Sequence, residues 1–568
     1  MNQSMNGKLS TPERAAAIVA WIAIVGGAVA RTWALTQRGS LWLDEASLAL
    51  NVLTRGFGGL LHPLDWGQAA PVGFLWLERA IAMHAETPDV FLRLLPWAAG
   101  VLLPWLLWEL GRRFVGTAAG AFAAVAASGS MLALRYSTEA KPYSTDAAVA
   151  AALMLLAYQA GDAPRERWRW WLLGGGIVLA VMLSLPSVFV IAALVAALAM
   201  DPEVRRSRDA QRIALPALGA AVLLFGLLWV SAYGAGASSA ALRSYWAPVM
   251  LSVTAHDFVI RVVRVLEELT WIPLRWTGSL LGTIVGTLLW GLGLVVVGRR
   301  RRSAAVLLAG PIACAMVASA LGVYPLSDRL AFFAVPGVWV AQAAALVGIR
   351  NAMVADRTTL SGSRAAAVFV VLVAFGSAAW QYTDAERFLR DPGSLEPSRA
   401  LFAKVDADAA TTPIYVYARS VPAWLMATHD GAWTGNPRLE RWTALAGRVS
   451  APGFENMARS GAVAPGAGDS LVVVSGARTE LVGLPPGVEY RITGAPSGAG
   501  PSVGWAAAEA QRMLAAAHPE VWLVASHFFG SSPANELRPL VEAAAAVGLR
   551  VMEERHEGAD VVALRLSR

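Results

Sequence analysis

The chain of 568 residues is 56% hydrophobic and only 15% charged, with a mean hydropathy of +0.50, which excludes an ordinary soluble enzyme. Its formal charge of +7 does not imply a nucleic-acid partner, because the basic residues cluster in short loops between apolar runs, the pattern that encodes membrane topology. A polytopic membrane protein is expected, and the 23 tryptophans fit a chain with many bilayer interfaces.

Residues 1–13 are polar, and the apolar run that follows is too long for a signal-peptide core, so it reads as a helix. A span needs about 20 apolar residues, and short loops rich in Lys and Arg stay cytoplasmic. Ala15–Leu35 is the first span, leaving the cytoplasm beside Arg14 and placing the Asp44-Glu45 pair of Leu41-Trp-Leu-Asp-Glu45 on the far side. Pro71–His84 is short, carries Glu78 and Arg79, and reads as a helix at the outer interface. Phe91–Leu110 returns to Arg112-Arg113, Ala118–Leu134 goes out, Arg135–Pro142 makes a tight outer loop, and Ser144–Ala160 runs inward.

Trp170–Met200 has basic segments at both ends and Pro186 near its middle, which predicts two short helices turning at Ser184–Ser187. Ile213–Tyr233 then leads to a long outer loop, 234–276, with His256, Asp257, Glu267 and Glu268. Thr277–Val297 returns to Arg299–Arg302, the strongest inside marker, and Ala304–Leu321, Leu330–Ile349 and Ala365–Tyr382 complete about eleven spans. The single cysteine, Cys314, lies in an apolar run and can form no internal disulfide.

Beyond residue 383 the composition shifts towards Pro, Gly and charge. Strand-length runs at Ile414–Tyr417, Leu471–Val474, Val521–Val524 and Val561–Leu564 alternate with helical patterns at Trp505–Ala517 and Ala534–Val547. The expected fold class is a polytopic α-helical membrane protein, residues 1–383, with a C-terminal extracytoplasmic α/β domain, residues 384–568, built on a largely parallel sheet. No Gly-x-Gly-x-x-Gly fingerprint, P-loop or zinc spacing is present.

Three outer loops collect acids, bases and tyrosines: Asp44-Glu45, Arg135–Tyr143 and Tyr324–Arg329. Each has a bland reading. Adjacent acids start helices well, Glu139 and Lys141 can simply pair on a loop, Tyr143 and Tyr324 can be interfacial aromatics, and Arg329 an interfacial anchor. Asp146 reads as a helix-start acid. Convergence of the three loops on one face favours a site.

Leu-Trp-Leu-Asp-Glu45 after the first span, Gln68-Ala-Ala-Pro71, Glu139-Ala-Lys-Pro-Tyr143 and Ser327-Asp-Arg329, in that order, resemble the protein O-mannosyltransferase and aminoarabinose transferase superfamily, integral-membrane glycosyltransferases of the GT-C class. The resemblance spans roughly residues 15–350 and rests on the ordered combination. It implies transfer of a sugar from a polyprenyl-phosphate donor to an acceptor hydroxyl of a glycan, lipid or protein on the extracytoplasmic face, with Asp44 as catalytic base. Glu45 or Glu139 would be the second acid. Lys141, at a position where relatives usually carry Arg, and Arg329 would neutralise the phosphate; Arg135, Tyr143 and Tyr324 are further substrate-binding candidates. No cofactor is required, and a divalent metal bridging acids and phosphate stays an open alternative that no ligand set demands. The expected location is the plasma (inner) membrane, with the N-terminus cytoplasmic. The alternative is a transporter or flippase of lipid-linked glycans, a class that tends to place its charges near the bilayer midplane.

Overall fold

Long apolar helices build most of the molecule. A computed structural model describes residues 10–234, 246–251, 258–271, 280–355, 382–439 and 490–568, apart from interruptions at 86, 394–396, 410–411, 418–419, 430, 437–438, 494–506, 508–509, 512, 515–516, 518, 527–532 and 559. Among the described residues five helical stretches are long and apolar enough to cross a membrane: Thr11–Gln37, Pro88–Phe114, Ala210–Tyr233, Arg302–Ala320 and Arg329–Met353. The first has 27 residues and at about 1.5 Å per residue is roughly 40 Å long. Its outer side exposes Ile18, Trp21, Ile22, Val25 and Val29, a surface that only lipid covers without cost. The chain is a multi-pass membrane protein.

Eight helices lead to the heart of the molecule: α1 Thr11–Gln37, α2 Leu43–Thr54, α3 Val72–Ala82, α4 Pro88–Phe91, α5 Leu94–Phe114, α6 Thr117–Gly129, α7 Met131–Tyr136 and α8 Tyr143–Asp162. The short helix α3 falls where the interfacial helix is expected. The span expected at Ala118–Leu134 breaks instead at Ser130, whose extended backbone ends α6 and whose hydroxyl caps α7 through the Ala133 N–H. The paired short helices are found as Arg167–Leu183 and Ser187–Ala199, turning at residues 184–186.

Part of the expected outer loop is helical, at Phe258–Trp271. Phe258, Val262 and Val265, spaced three to four residues apart, turn towards the core, which is why a stretch with several charges still forms a helix. His256 and Asp257, the last expected span Ala365–Tyr382 up to its final residue, and the expected strand Leu471–Val474 lie outside the described residues.

Close helix approach depends on small residues, as expected where lipid removes any hydrophobic drive for helices to associate. A side chain added at Gly293 would collide with the Ala341 carbonyl, and one at Gly337 with that of Leu308.

Among the described residues the tail forms a five-stranded sheet in the order β2-β1-β3-β5-β4, with β1 Ile414–Tyr417, β2 Tyr490–Thr493, β3 Glu520–Ser526, β4 Arg550–Glu557 and β5 Val561–Ser567. The expectation of a largely parallel sheet is corrected. β1 runs parallel to β2 and β3, but β5 is antiparallel to both β3 and β4. The connection between β4 and β5 turns at Gly558, with φ +64°, and is too short for the crossover that parallel strands need.

This sheet is not a free appendage. Leu50 and Leu53 of α2 and Phe74 of α3 share one buried core with Phe402, Trp424, Trp522 and Val561. Arg399 adds an ion pair to Asp89, 2.6 Å, and its backbone N–H donates to Ser40 Oγ, 3.1 Å.

Glu78 sits at the α2–α3 contact, and neither of its buried carboxylate oxygens has a hydrogen-bond partner among the described residues. Burial, reinforced by the charge of Glu45, pushes its carboxyl well above the ordinary range. A raised carboxyl contributes most below its unfolded value and becomes a growing cost as pH rises above that value. Glu78→Gln is therefore expected to raise the melting temperature in detergent at pH 7–8 and to leave it nearly unchanged near pH 4. An unchanged or lower melting temperature at pH 8 would refute this.

Candidate functional site

Helix α2 separates the two acids of its first turn. The Trp42 N–H donates to Glu45 Oε2, 3.2 Å, fixing the helix start, and neighbouring helical residues point about 100° apart. Glu45 is thereby turned inwards and Asp44 outwards.

Glu45 is fully buried against fully buried Arg93. Arg93 Nε and Nη2 donate to its two oxygens at 3.0 and 2.7 Å, and the Ala140 N–H adds a third bond at 2.6 Å. Arg93 also donates to the carbonyls of Gly39 and Ser40, at 2.8 and 3.1 Å. Burial drives the Glu45 carboxyl upwards, but Arg93, Arg38 and the Ala140 N–H outweigh it and hold the group below the usual carboxylate range. This one carboxylate ties together the start of α2, the start of α5 and the loop from 137 to 142.

Asp44 stands at the rim. Its Oδ2 is 2.7 Å from Nη1 of Arg329, and both side chains are about a quarter exposed, 24% and 23%. The Arg329 guanidinium lies over the Trp246 ring, 5.6 Å from its centroid, which restrains its direction. Lys141 is buried and donates to Gln68 Oε1 at 2.6 Å. Burial lowers its ammonium below the ordinary lysine value, Asp44 opposes this, and Arg329 adds to it. Glu139 is buried and accepts from Arg135 Nε at 2.7 Å. Burial raises its carboxyl, Arg135 opposes, and Glu45 adds to the rise.

Arg38 completes the cluster, with Nε donating to Thr138 Oγ1, 3.2 Å, and Nη1 to the Gly393 carbonyl, 3.2 Å. Arg38, Arg93, Arg135, Lys141 and Arg329 thus lie within electrostatic reach of Asp44, Glu45 and Glu139. Among these eight groups cations outnumber carboxylates by two, and Asp89, also within reach of Arg93, is offset by its own ion pair with Arg399. Such an excess suits an anion with two negative charges.

The tyrosines differ. Tyr143 packs edge-on against Tyr136, ring centroids 5.3 Å apart, within reach of Arg329 and Asp44. Tyr324 donates its hydroxyl to the Leu330 carbonyl, 2.9 Å, and packs its ring on Phe189 at 4.9 Å; it shapes the loop before Arg329. Among the described residues no three His, Cys, Asp or Glu side chains gather as a metal site, and both Glu45 and Glu139 are already paired with arginines.

The three loops expected to meet do meet. Missing from the expectation are Arg93 and Arg38, which pin and charge the site, and the grip of Gln68 on Lys141. Arg93 had a signal: a charge at the start of an apolar span calls for a partner.

Residues 69–229 match the family model of dolichyl-phosphate-mannose-protein mannosyltransferases. Among solved structures, ArnT from Cupriavidus metallidurans bound to undecaprenyl phosphate is 13% identical, covers 97% of each chain and has a TM-score of 0.46. The oligosaccharyltransferase of Archaeoglobus fulgidus, in a complex with Zn and sulfate, is 14% identical with a TM-score of 0.47, over 72% of this chain and 61% of that one. Its complex with an inhibitory peptide and a dolichol-phosphate is 12% identical with a TM-score of 0.45, over 73% and 64%. The chain spans under two thirds of the length of that archaeal enzyme. No curated protein matches it significantly. The matched family segment contains the Glu139–Tyr143 motif, and the chain resembles the integral-membrane glycosyltransferases of the GT-C class.

Proposed function

We propose that the chain transfers a sugar from a polyprenyl-phosphate donor to an acceptor hydroxyl at the extracytoplasmic face of the membrane. The observation that carries this reading is the Asp44–Arg329 pair at the rim, 2.7 Å, beside buried Lys141. It puts a proton acceptor and phosphate-binding cations side by side. The acceptor oxygen attacks the anomeric carbon while Asp44 takes its proton. The bond from that carbon to the phosphate oxygen breaks, and the polyprenyl phosphate leaves with the electron pair. Arg329 and Lys141 stabilise the charge that develops on it. Attack opposite the leaving group inverts the anomeric centre.

Arg329 has five N–H donors and can serve Asp44 and a phosphate together. Lys141 is held by a neutral amide, and its ammonium has three donors, so it can also serve the anion. Glu45 is a positioning residue, since its oxygens are taken by Arg93, Ala140 and Trp42. Glu139, paired with Arg135, is the second acid. Short basic loops support a cytoplasmic N-terminus and an outer tail, with a boundary near residue 383. The tail's core on α2 and α3 supports a role for the tail in receiving the acceptor.

Purified chain given polyprenyl-phosphate sugars labelled in the lipid should release bare polyprenyl phosphate. No release with any sugar and any hydroxyl acceptor overturns the reading. The alkaline limb should belong to Lys141: kcat/KM of the wild type falls below the ordinary lysine range as the ammonium deprotonates. Lys141→Arg, which stays charged, should move that limb upwards; an identical profile would exclude Lys141 as the titrating group.

A further inference from the structure

One turn further along α8 from Tyr143 lies a polar group that the reaction above does not use. Asp146 is 7% exposed, and Ser184, in the turn between the two short helices, is 1% exposed. No hydrogen bond of ordinary geometry reaches Asp146 Oδ1 or Ser184 Oγ from the described residues, and the Ser184 hydroxyl is close enough to act on the Asp146 carboxyl. Tyr143 and Asp146 are three residues apart and share a face of α8, with roughly 5–6 Å between their Cβ atoms. Asp146 lies within electrostatic reach of Tyr143 and Tyr324, and Tyr143 within reach of Asp44 and Arg329. A line of polar groups therefore runs inwards from the rim, from Asp44 past Tyr143 to Asp146 and Ser184. Its inner step is comparable with the width of a sugar ring.

An acid that only favours the start of a helix does so from the surface, in contact with water. Asp146 is instead withdrawn into the core with an oxygen that no hydrogen bond of ordinary geometry reaches among the described residues, an arrangement that costs free energy until a well-placed donor is supplied. A serine hydroxyl beside it has the same need and can both donate and accept. Adjacent hydroxyl groups on a sugar ring supply both functions at that spacing.

We propose that Asp146 and Ser184 bind ring hydroxyls of the transferred sugar and hold it while its anomeric carbon faces Asp44. This rests on the glycosyl-transfer reading and extends it from the lipid phosphate to the sugar. Asp146 accepts a hydrogen bond from one hydroxyl, and Ser184 bonds its neighbour. A site built on such bonds discriminates sharply against sugars that lack the hydroxyl.

The test is thermal protection of the full chain in detergent by bare polyprenyl phosphate and by the same lipid carrying mannose, glucose, galactose or arabinose in turn. In the wild type one or more sugars should add protection beyond the bare lipid. Asp146→Asn and Ser184→Ala should each weaken binding of that sugar-lipid about 10-fold or more while leaving bare-lipid affinity unchanged. Asp44→Asn should keep the sugar increment. An increment retained in both variants, the absence of any increment in a wild type that binds the bare lipid, or equal loss of both lipids in Asp146→Asn overturns the assignment while the glycosyl-transfer reading stands. A wild type that binds neither kind of lipid overturns both.

Discussion

Asp44→Asn should lower kcat/KM for glycosyl transfer by about 10²–10⁴-fold, the usual worth of a positioned base, with little change in melting temperature. The side chain is partly exposed and its ion pair with Arg329 lies at the rim, where such pairs contribute little to stability. Asn keeps the shape and a hydrogen bond but cannot take the proton from the attacking hydroxyl. The readout is release of labelled polyprenyl phosphate beside a thermal unfolding curve of the same preparation. Full activity in the variant would remove Asp44 as the base.

The adjacent acid should behave in the opposite way. Glu45→Ala leaves Arg93 charged and buried at the centre of the molecule, and breaking a buried pair in this manner costs about 3–5 kcal/mol. Arg93→Ala should cost about as much, because Glu45 is then the orphan. The sign with pH follows from the carboxyl being held below its ordinary value in the fold. Its contribution is complete above the unfolded value and is lost as pH falls through the lower, folded one. Wild type should therefore lose stability on acidification in a window that Glu45→Gln no longer shows. Differential scanning calorimetry from pH 3 to 7 tests this; a melting temperature within a degree of wild type for Glu45→Ala at pH 7 would sink it.

The contrast shows what a sequence discloses and what it hides. Asp44 and Arg329 could be brought together from motif order and loop charge alone, since topology puts both on one face. The different roles of Asp44 and Glu45 were hidden, because they depend on a partner 48 positions away. Arg93 merged into an apolar stretch that reads as a span, and its charge gained meaning only once α2 was seen to turn Glu45 towards it. Three strands, β1, β3 and β5, were legible from their apolar runs, but β2 and the largely charged β4 were not, and the mixed direction of the sheet depends on the turn at Gly558, which periodicity does not encode. The helix Phe258–Trp271 was hidden by its charges, although Phe258, Val262 and Val265 mark its inner face. Asp146 looked like many helix-start acids; only its burial beside Ser184 distinguishes it.

The core shared by α2, α3 and the tail sheet bears on how such chains can diversify. Arg38 bonds the Gly393 carbonyl, Trp33 the Leu389 carbonyl, and Arg79 the Thr434 hydroxyl, so the tail is stitched to the same first loops that carry Asp44 and Gln68. A tail cannot be exchanged between relatives as a separate cassette without stripping cover from Leu50, Leu53 and Phe74. The natural unit of recombination is the tail together with residues 33–95, which carry Trp33, Asp89, Leu92 and Leu95 as well as the acidic loop.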